Sequence, residues 1–206
     1  NPHLLKVSDL KEGKIEPIML NNEGVTGGTY PIHSGAVIKG HTYVSNLSGG
    51  GKWSPLMIYY YETPASAPEV ILNVTLDTID GANSRHGDNA SFNLDENGNG
   101  YVFFGNNAAT DVLRFTIRNW KEIDPASATV LGSDSKANSY ITVNRIWGTD
   151  SYIFGGIYMA PKIVDESMSV QYALKPTSVA AQSTACQIIS FNGERYLVTM
   201  TAGRTE

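Results

Sequence analysis

Hydrophobic and polar residues alternate along most of the chain with a period of two, which is the period of β-strands that bury one face. Clear examples are residues 69–76, 113–118 and 168–174. Residues 56–62 and 101–105 are nearly continuous apolar runs, as expected for strands that are covered on both faces. Because turn sequences rich in Gly, Asn and Ser separate these segments, the pattern predicts an all-β fold.

Helical patterns are scarce. Residues 9–16 contain Gly13 and are followed by Pro17, which interrupts a helix. Residues 179–189 form the one segment that is compatible with a short helix.

A unit of related sequence recurs along the chain. Each copy contains an apolar strand, a polar turn and a tyrosine that is followed by further apolar residues. The tyrosines are Tyr43, Tyr101, Tyr152 and Tyr196, at spacings of 58, 51 and 44 residues. An apolar strand then follows each of the first three. Short antiparallel strands that repeat about every 40–50 residues are typical of propeller blades, so we predict a β-propeller.

The two ends of the chain predict a composite blade. Residues 4–7 and 15–20 have the pattern of outer strands, and residues 188–191 and 196–201 that of inner strands. We therefore expect a single domain over residues 1–206, with about four blades of four strands, one of them closed by the chain ends. The alternatives are a fragment of a larger propeller and a two-sheet β-sandwich.

Composition narrows the class of protein. The net charge is −5, and the 15 basic residues form no cluster, which argues against a nucleic-acid partner. Every uncharged apolar run is shorter than the roughly 18 residues of a membrane span. The single cysteine, Cys186, excludes an intrachain disulfide and a metal site built from several cysteines.

The chain begins at Asn1 without a methionine, which indicates either a removed targeting segment or a piece of a longer protein. Only 17% of the residues are charged, and Asn, Ser, Thr and Gly are abundant. We expect an extracytoplasmic protein, in the periplasm or on the surface of a bacterium.

Residues 95–102 read DENGNGYV, and VLRF at 112–115 and Trp120 follow them. This order resembles blades of propeller-like surface proteins, in which a D-x-x-G-x-x-Y hairpin precedes a strand. Two further segments, LKV at 5–7 and TMTAG at 199–203, are similar to uncharacterised domains of gut Bacteroidetes surface lipoproteins. The resemblance implies an extracytoplasmic setting, often beside polysaccharide-utilisation systems, and assigns no catalytic residue.

The same hairpin contains a candidate metal site. Asp95, Asn97 and Asn99 alternate, and Gly100 occupies the sixth position, as in the first half of a calcium-binding loop. The twelfth position holds Asn106, where such loops have a bidentate glutamate. The alternative is a tight turn in which Asn and Gly adopt positive φ. Calcium is the one cofactor that the sequence suggests.

Candidate ligand-binding residues lie in two loops. Arg85, His86 and Asp88 place a cation, a base and an acid before the innermost strand of a blade, where propeller loops face the central channel. Trp53 follows a run of three glycines, and its ring is suited to stacking on a sugar. The alternative for these residues is turn capping and packing. We expect the other two tryptophans, Trp120 and Trp147, to pack inside the fold.

We expect a binding or scaffolding module whose partner is a polysaccharide or a surface protein. Glycan binding through Trp53, Arg85, His86 and Asp88 is the first hypothesis. A carbohydrate-active hydrolase is the second, with paired carboxylates drawn from Asp77, Asp80 and Asp88. A protein–protein scaffold is the third. The chain lacks a G-x-S-x-G elbow, an H-E-x-x-H helix and a phosphate-binding loop, so we assign no catalytic residue.

Overall fold

The computed structural model describes residues 3–4, 11–14, 16–21, 23, 25, 34–47, 55–82, 86–106, 112–131, 142–145, 152–156, 159–165, 170–173 and 182–202. Within these residues the chain forms seventeen strands and two 3-10 turns, and every strand pair is antiparallel. The predicted all-β class is therefore confirmed. Among the described residues, no helix is long and apolar enough to cross a membrane.

Two of the sheets are built from strands that follow one another along the chain. Sheet 1 has the order β3-β4-β5-β6 and consists of Ser34–Ile38, His41–Leu47, Pro55–Tyr61 and Glu69–Thr75. Sheet 2 has the order β7-β8-β9-β10, and β11 also pairs with β9. Its strands are His86–Leu94, Gly100–Asn106, Val112–Arg118, Glu122–Ile123 and Thr129–Leu131. The 3-10 turn Leu76–Thr78 follows sheet 1, and the 3-10 turn Pro125–Ser127 lies between β10 and β11.

Sheet 3 contains the last six strands. Its order is β12-β13-β14-β16-β17, and β15 also pairs with β14. The strands are Thr142–Arg145, Tyr152–Gly156, Met159–Val164, Val170–Ala173, Gln182–Phe191 and Glu194–Ala202. A separate N-terminal sheet pairs β1, His3–Leu4, with β2, Ile18–Met19.

The repeated hairpins that the tyrosine spacing predicts are present. Tyr43, Tyr101, Tyr152 and Tyr196 lie in the second strands of the hairpins β3–β4, β7–β8, β12–β13 and β16–β17. The propeller itself is not confirmed, because the pairings among the described strands give four separate sheets that do not close a ring.

The predicted composite blade is not confirmed among the described residues, since none of the described pairings joins β1 or β2 to β16 or β17. β16 pairs with β14 at Ser183 and Met159, and β1 and β2 pair with each other. β14 is hard to predict from the sequence, because Pro161 lies inside it and cannot donate a ladder hydrogen bond. Once β14 is present, β16 and β17 complete the sheet that precedes them.

The segment 179–189, whose sequence is compatible with a short helix, is a strand from Gln182 onward. Gln182–Phe191 is strand β16, and nine of its residues have Cα partners on β17. The segment contains Thr184, Ile188 and Ile189, whose branched Cβ atoms suit a strand better than a helix.

The main core lies between sheets 1 and 2, and a smaller cluster covers the other face of sheet 1. The main core contains Tyr43, Leu56, Ile58, Tyr60, Leu72, Leu76, Ala90, Leu94, Val102, Phe104, Leu113, Phe115 and Ile117. The smaller cluster contains Leu20, Val44, Met57, Tyr59 and Tyr61. Successive residues of β5 alternate between the two clusters, so its continuous apolar sequence reflects burial on both faces, as predicted.

Candidate functional site

Of the four predicted ligand-binding residues, the structure describes two, and both belong to β7. Trp53 and Arg85 are outside the described residues. His86 and Asp88 belong to β7, although the description covers their backbone and not their side chains. The structure therefore locates two of these four residues on one strand, and their role as ligand contacts stays a prediction.

A bulge interrupts β7 at this place. His86 pairs with Asn106 and Ala90 pairs with Phe104, so four steps along β7 match two steps along β8. The extra backbone lies between His86 and Ala90, a stretch that includes Asp88. Bulges bend a strand and redirect its side chains, and they are common next to binding and active sites.

β7 is an edge strand of sheet 2. It contacts β3 and β4 of sheet 1 and also β12 of sheet 3. The bulged strand therefore lies beside the first strand of each neighbouring sheet.

The predicted calcium loop forms the turn between β7 and β8. The Asp95 carboxylate accepts hydrogen bonds through Oδ1 from the backbone N–H groups of Asn97 and Asn99, each at 2.8 Å. The Asn99 side chain accepts one through Oδ1 from the Asn119 N–H at 3.1 Å. Through these hydrogen bonds Asp95 and Asn99 cap the turn, and capping of this kind needs no bound cation. Among the described residues no group of three or more His, Cys, Asp or Glu side chains converges on one point. A calcium site stays an untested prediction.

Trp120 connects this turn to sheet 1. It lies in the turn after β9 with φ of +70°, and its backbone N–H donates a hydrogen bond to the Gly98 carbonyl at 3.0 Å. Its own carbonyl accepts from the Tyr43 hydroxyl at 2.7 Å, and its indole stacks on the His41 ring at a centroid distance of 4.1 Å. The ring is half-buried against the main core, in agreement with the predicted packing role.

His41 and Tyr60 extend this contact across sheet 1. The His41 Nδ1 and the Tyr60 hydroxyl are 2.5 Å apart, and Lys121 lies 5.8 Å from the centre of the Tyr60 ring. Burial raises the pKa of the Tyr60 hydroxyl, and the nearby Glu62 raises it further. A protonated tyrosine in this place holds two sheets together and is a poor nucleophile. Sequence reasoning missed this cluster, since no local motif joins residues that are so far apart along the chain.

The family assignment follows from comparison with known proteins. The model of DUF4623, a domain of unknown function, matches residues 1–206. The chain belongs to the DUF4623 family.

A solved structure resembles this DUF4623 domain over nearly its whole length. It is the crystal structure of a DUF4623 family protein from Bacteroides eggerthii DSM 20697, with 52% sequence identity and a TM-score of 0.89. The match covers 98% of this chain and 45% of the other, so the present chain spans less than half of that protein's length. A comparison with curated proteins found no match. The similar structure comes from a Bacteroides species, and the sequence motifs resemble Bacteroidetes proteins. Lipoprotein character stays a prediction.

The carboxylates of the hydrolase hypothesis lie after sheet 1. Asp77 belongs to the 3-10 turn Leu76–Thr78, and Asp80 follows it. Both residues are exposed, so neither carboxylate lies in an apolar pocket. The third candidate is Asp88, of which the structure describes the backbone only.

Proposed function

We propose that this DUF4623 domain is an extracytoplasmic glycan-binding module that contacts its ligand through Trp53, Arg85, His86 and Asp88. The observation that carries the proposal is the bulge between His86 and Ala90. A regular strand would direct neighbouring side chains to opposite faces of the sheet. A bulge changes this alternation and allows polar groups from one short segment to converge on one ligand.

The residue types suit a neutral or acidic glycan. An arginine donates through a planar group, an aspartate accepts, and a histidine does either, which matches sugar hydroxyls that both donate and accept. The tryptophan adds a flat apolar surface for the faces of a sugar ring. These four residues together supply both kinds of contact that a glycan requires.

We further propose that the sheets are arranged as in a propeller. In support, β7 contacts the first strands of sheets 1 and 3, as the inner strands of neighbouring blades do. In that arrangement the bulge faces the centre of the ring, where propeller loops bind ligands. The low fraction of charged residues and the similarity to a Bacteroides protein support a location in the periplasm or on the cell surface, as a surface lipoprotein.

A polysaccharide screen tests the binding function. The purified domain is passed over immobilised polysaccharides, and both retention and the release of reducing ends are measured, with calcium and with a chelator. We expect retention without release. Trp53→Ala and Asp88→Asn should each weaken binding about 10-fold or more, as loss of a central contact does. The matched controls are Tyr196→Ala and Glu194→Gln, which change an exposed aromatic and an exposed acid of β17.

Three results would contradict the proposal. Unchanged retention in Trp53→Ala and Asp88→Asn would remove the assigned site. Release of reducing ends that disappears in Asp88→Asn would favour the hydrolase. No retention on any polysaccharide by the folded domain would favour a protein partner.

The comparison of binding with calcium and with a chelator includes the variant Asp95→Asn. This variant keeps the Oδ1 acceptor of the turn but lacks the negative charge that a calcium ion prefers.

A further inference from the structure

A groove lies on the outer edge of sheet 2, where β9 changes its pairing partner. Its first residues, Val112–Arg114, pair with β11, and its last two, Ile117 and Arg118, pair with β10. Between them the Thr116 N–H donates to the Ser127 hydroxyl at 2.9 Å. The space beside this break is about 250 Å³, and we call it the edge groove. Its lining residues are Thr116, Arg118, Glu122, Ile123, Asp124 and Ser127.

One wall of the edge groove is fixed by local hydrogen bonds. The Asp124 carboxylate accepts from the Ala126 N–H through Oδ1 at 2.9 Å, at the start of the 3-10 turn Pro125–Ser127. The Ser127 hydroxyl donates to the Asp124 carbonyl at 2.6 Å. Pro125 restricts the backbone between them. These contacts hold the Asp124 carboxylate in place before any ligand binds, which lowers the entropic cost of binding.

The lining of the edge groove also includes a cation and a second acid. Arg118 and Glu122 are cross-strand partners of β9 and β10, and both side chains are exposed. The Glu122 carboxylate accepts a hydrogen bond from the Asn119 amide at 3.1 Å. Among the ion pairs of the described residues none involves Arg118, so its five N–H donors are available to a ligand.

The charges and size of the edge groove select a class of ligand. An anion attracted by Arg118 would also face the carboxylates of Glu122 and Asp124, and a cation attracted by these acids would face Arg118. A neutral polyol avoids both conflicts, because each of its hydroxyls donates to a carboxylate and accepts from a guanidinium. The volume is just below the roughly 300–1,000 Å³ of pockets for drug-sized ligands, which suits one ring.

We propose that the edge groove binds one ring of a neutral saccharide or a similar cyclic polyol. Arg118 donates hydrogen bonds to the ring hydroxyls, and Asp124 and Glu122 accept hydrogen bonds from them. This site is separate from the one around His86. The edge groove lies towards the β7–β8 turn, since Ile117 pairs with Gly100, whereas the bulge is at the other end of β7.

An NMR titration of the ¹⁵N-labelled domain tests the proposal. The neutral probes are glucose, galactose, mannose, xylose and myo-inositol, and the charged probes are inorganic phosphate and guanidinium. We expect at least one neutral probe to shift the amide signals of Thr116, Arg118, Asp124 and Ser127 in a saturable manner, with millimolar affinity. Charged probes should leave these signals unchanged at equal ionic strength.

Substitutions then identify the contacts. Arg118→Gln and Asp124→Asn should each weaken binding about 10-fold, as the loss of a charge-assisted hydrogen bond does. Asp124→Asn keeps the Oδ1 acceptor for Ala126, so the turn is preserved. The matched controls are Lys39→Gln and Glu96→Gln, which remove an exposed cation and an exposed acid 3.9 Å apart on the hairpin turns. Asp88→Asn should leave this titration unchanged, which separates the site from the proposed function.

Each of the following results would overturn the proposal. The first is a folded domain whose groove signals respond to no neutral probe up to about 100 mM, a limit that corresponds to negligible binding free energy. The second is a response to phosphate or guanidinium alone. The third is equal affinity in Arg118→Gln, Asp124→Asn and the unchanged domain.

Discussion

Two buried tyrosine hydroxyls of sheet 1 differ in their hydrogen bonding. The Tyr43 hydroxyl donates to the Trp120 carbonyl at 2.7 Å, whereas the Tyr61 hydroxyl is buried and has no hydrogen-bond partner among the described residues. A buried polar group without a partner loses its bonds to water and gains nothing in return. The same functional group should therefore stabilise the fold at Tyr43 and destabilise it at Tyr61.

We predict opposite effects for two identical substitutions. Tyr61→Phe should raise the free energy of unfolding by about 1 kcal/mol or more, because it removes an unsatisfied hydroxyl. Tyr43→Phe should lower it by about 1 kcal/mol and leave the Trp120 carbonyl without this donor. Urea unfolding of both variants gives the measurement. A loss of stability in Tyr61→Phe equal to that in Tyr43→Phe would show that the Tyr61 hydroxyl has a partner.

The same pair predicts a dependence on alkaline pH. Burial raises the pKa of both hydroxyls above the ordinary value of 10.0, with smaller contributions from Tyr60 to Tyr43 and from Tyr59 to Tyr61. Above that pH the unfolded chain releases protons that the folded protein retains, so stability decreases as pH rises. Stability should be unaffected by these groups below about pH 10 and should then decline, less steeply in Tyr61→Phe.

At the scale of elements, the turn between β7 and β8 depends on a glycine that Trp120 covers. Gly98 has φ of +76°, and a Cβ there would overlap Cγ and Cδ2 of the Trp120 ring. Gly193, in the turn between β16 and β17, has a nearly identical φ of +79°, but a Cβ there would meet no atom within 4 Å. The two positions share the conformational requirement and differ in the space around them.

We predict that Gly98→Ala destabilises the protein more than Gly193→Ala does. Both substitutions place an L-residue at positive φ, which costs about 1–2 kcal/mol. At Gly98 the displaced indole adds about 1–3 kcal/mol, as overpacking does. Thermal unfolding followed by circular dichroism measures the difference. Equal losses of stability in the two variants would mean that Trp120 does not pack on Gly98.

The strands themselves could be predicted from the sequence, whereas their partners could be predicted only in part. The alternation of apolar and polar residues predicts β6, β9 and β15, because a strand that buries one face places apolar residues at every second position. Pairing in the last sheet depends on contacts between distant segments. Pro161 obscures the strand pattern of β14, so the pairing of β16 with β14 could not be predicted from the sequence.

The candidate sites show the same limit. The sequence located the turn at Asp95, because the capping carboxylate and the amides that it binds are neighbours in the chain. It did not reveal the stack of His41 on Trp120 or the edge groove, because each forms only when β9 turns back against other strands. The bulge in β7 depends on the register with β8, and a single strand does not display its register.

At the scale of the whole molecule, sheets 1 and 2 share one core. Phe92 of β7 stacks on Tyr43 of β4 at a centroid distance of 4.5 Å. Phe115 of β9 is fully buried in the same cluster and meets Phe104 edge to face at 5.9 Å. Two sheets that bury their apolar faces against each other should unfold as one cooperative unit.

We therefore predict that a cavity made in sheet 2 also destabilises sheet 1. Phe115→Ala should lower the free energy of unfolding by about 3–5 kcal/mol, as large-to-small substitutions of buried aromatic residues do. Hydrogen exchange read by mass spectrometry should then show faster exchange in peptides from β4 and β5 as well as from β8 and β9. Met19→Ala is the control, because Met19 is 50% exposed on β2. Faster exchange confined to β8 and β9 would mean that the two sheets unfold independently.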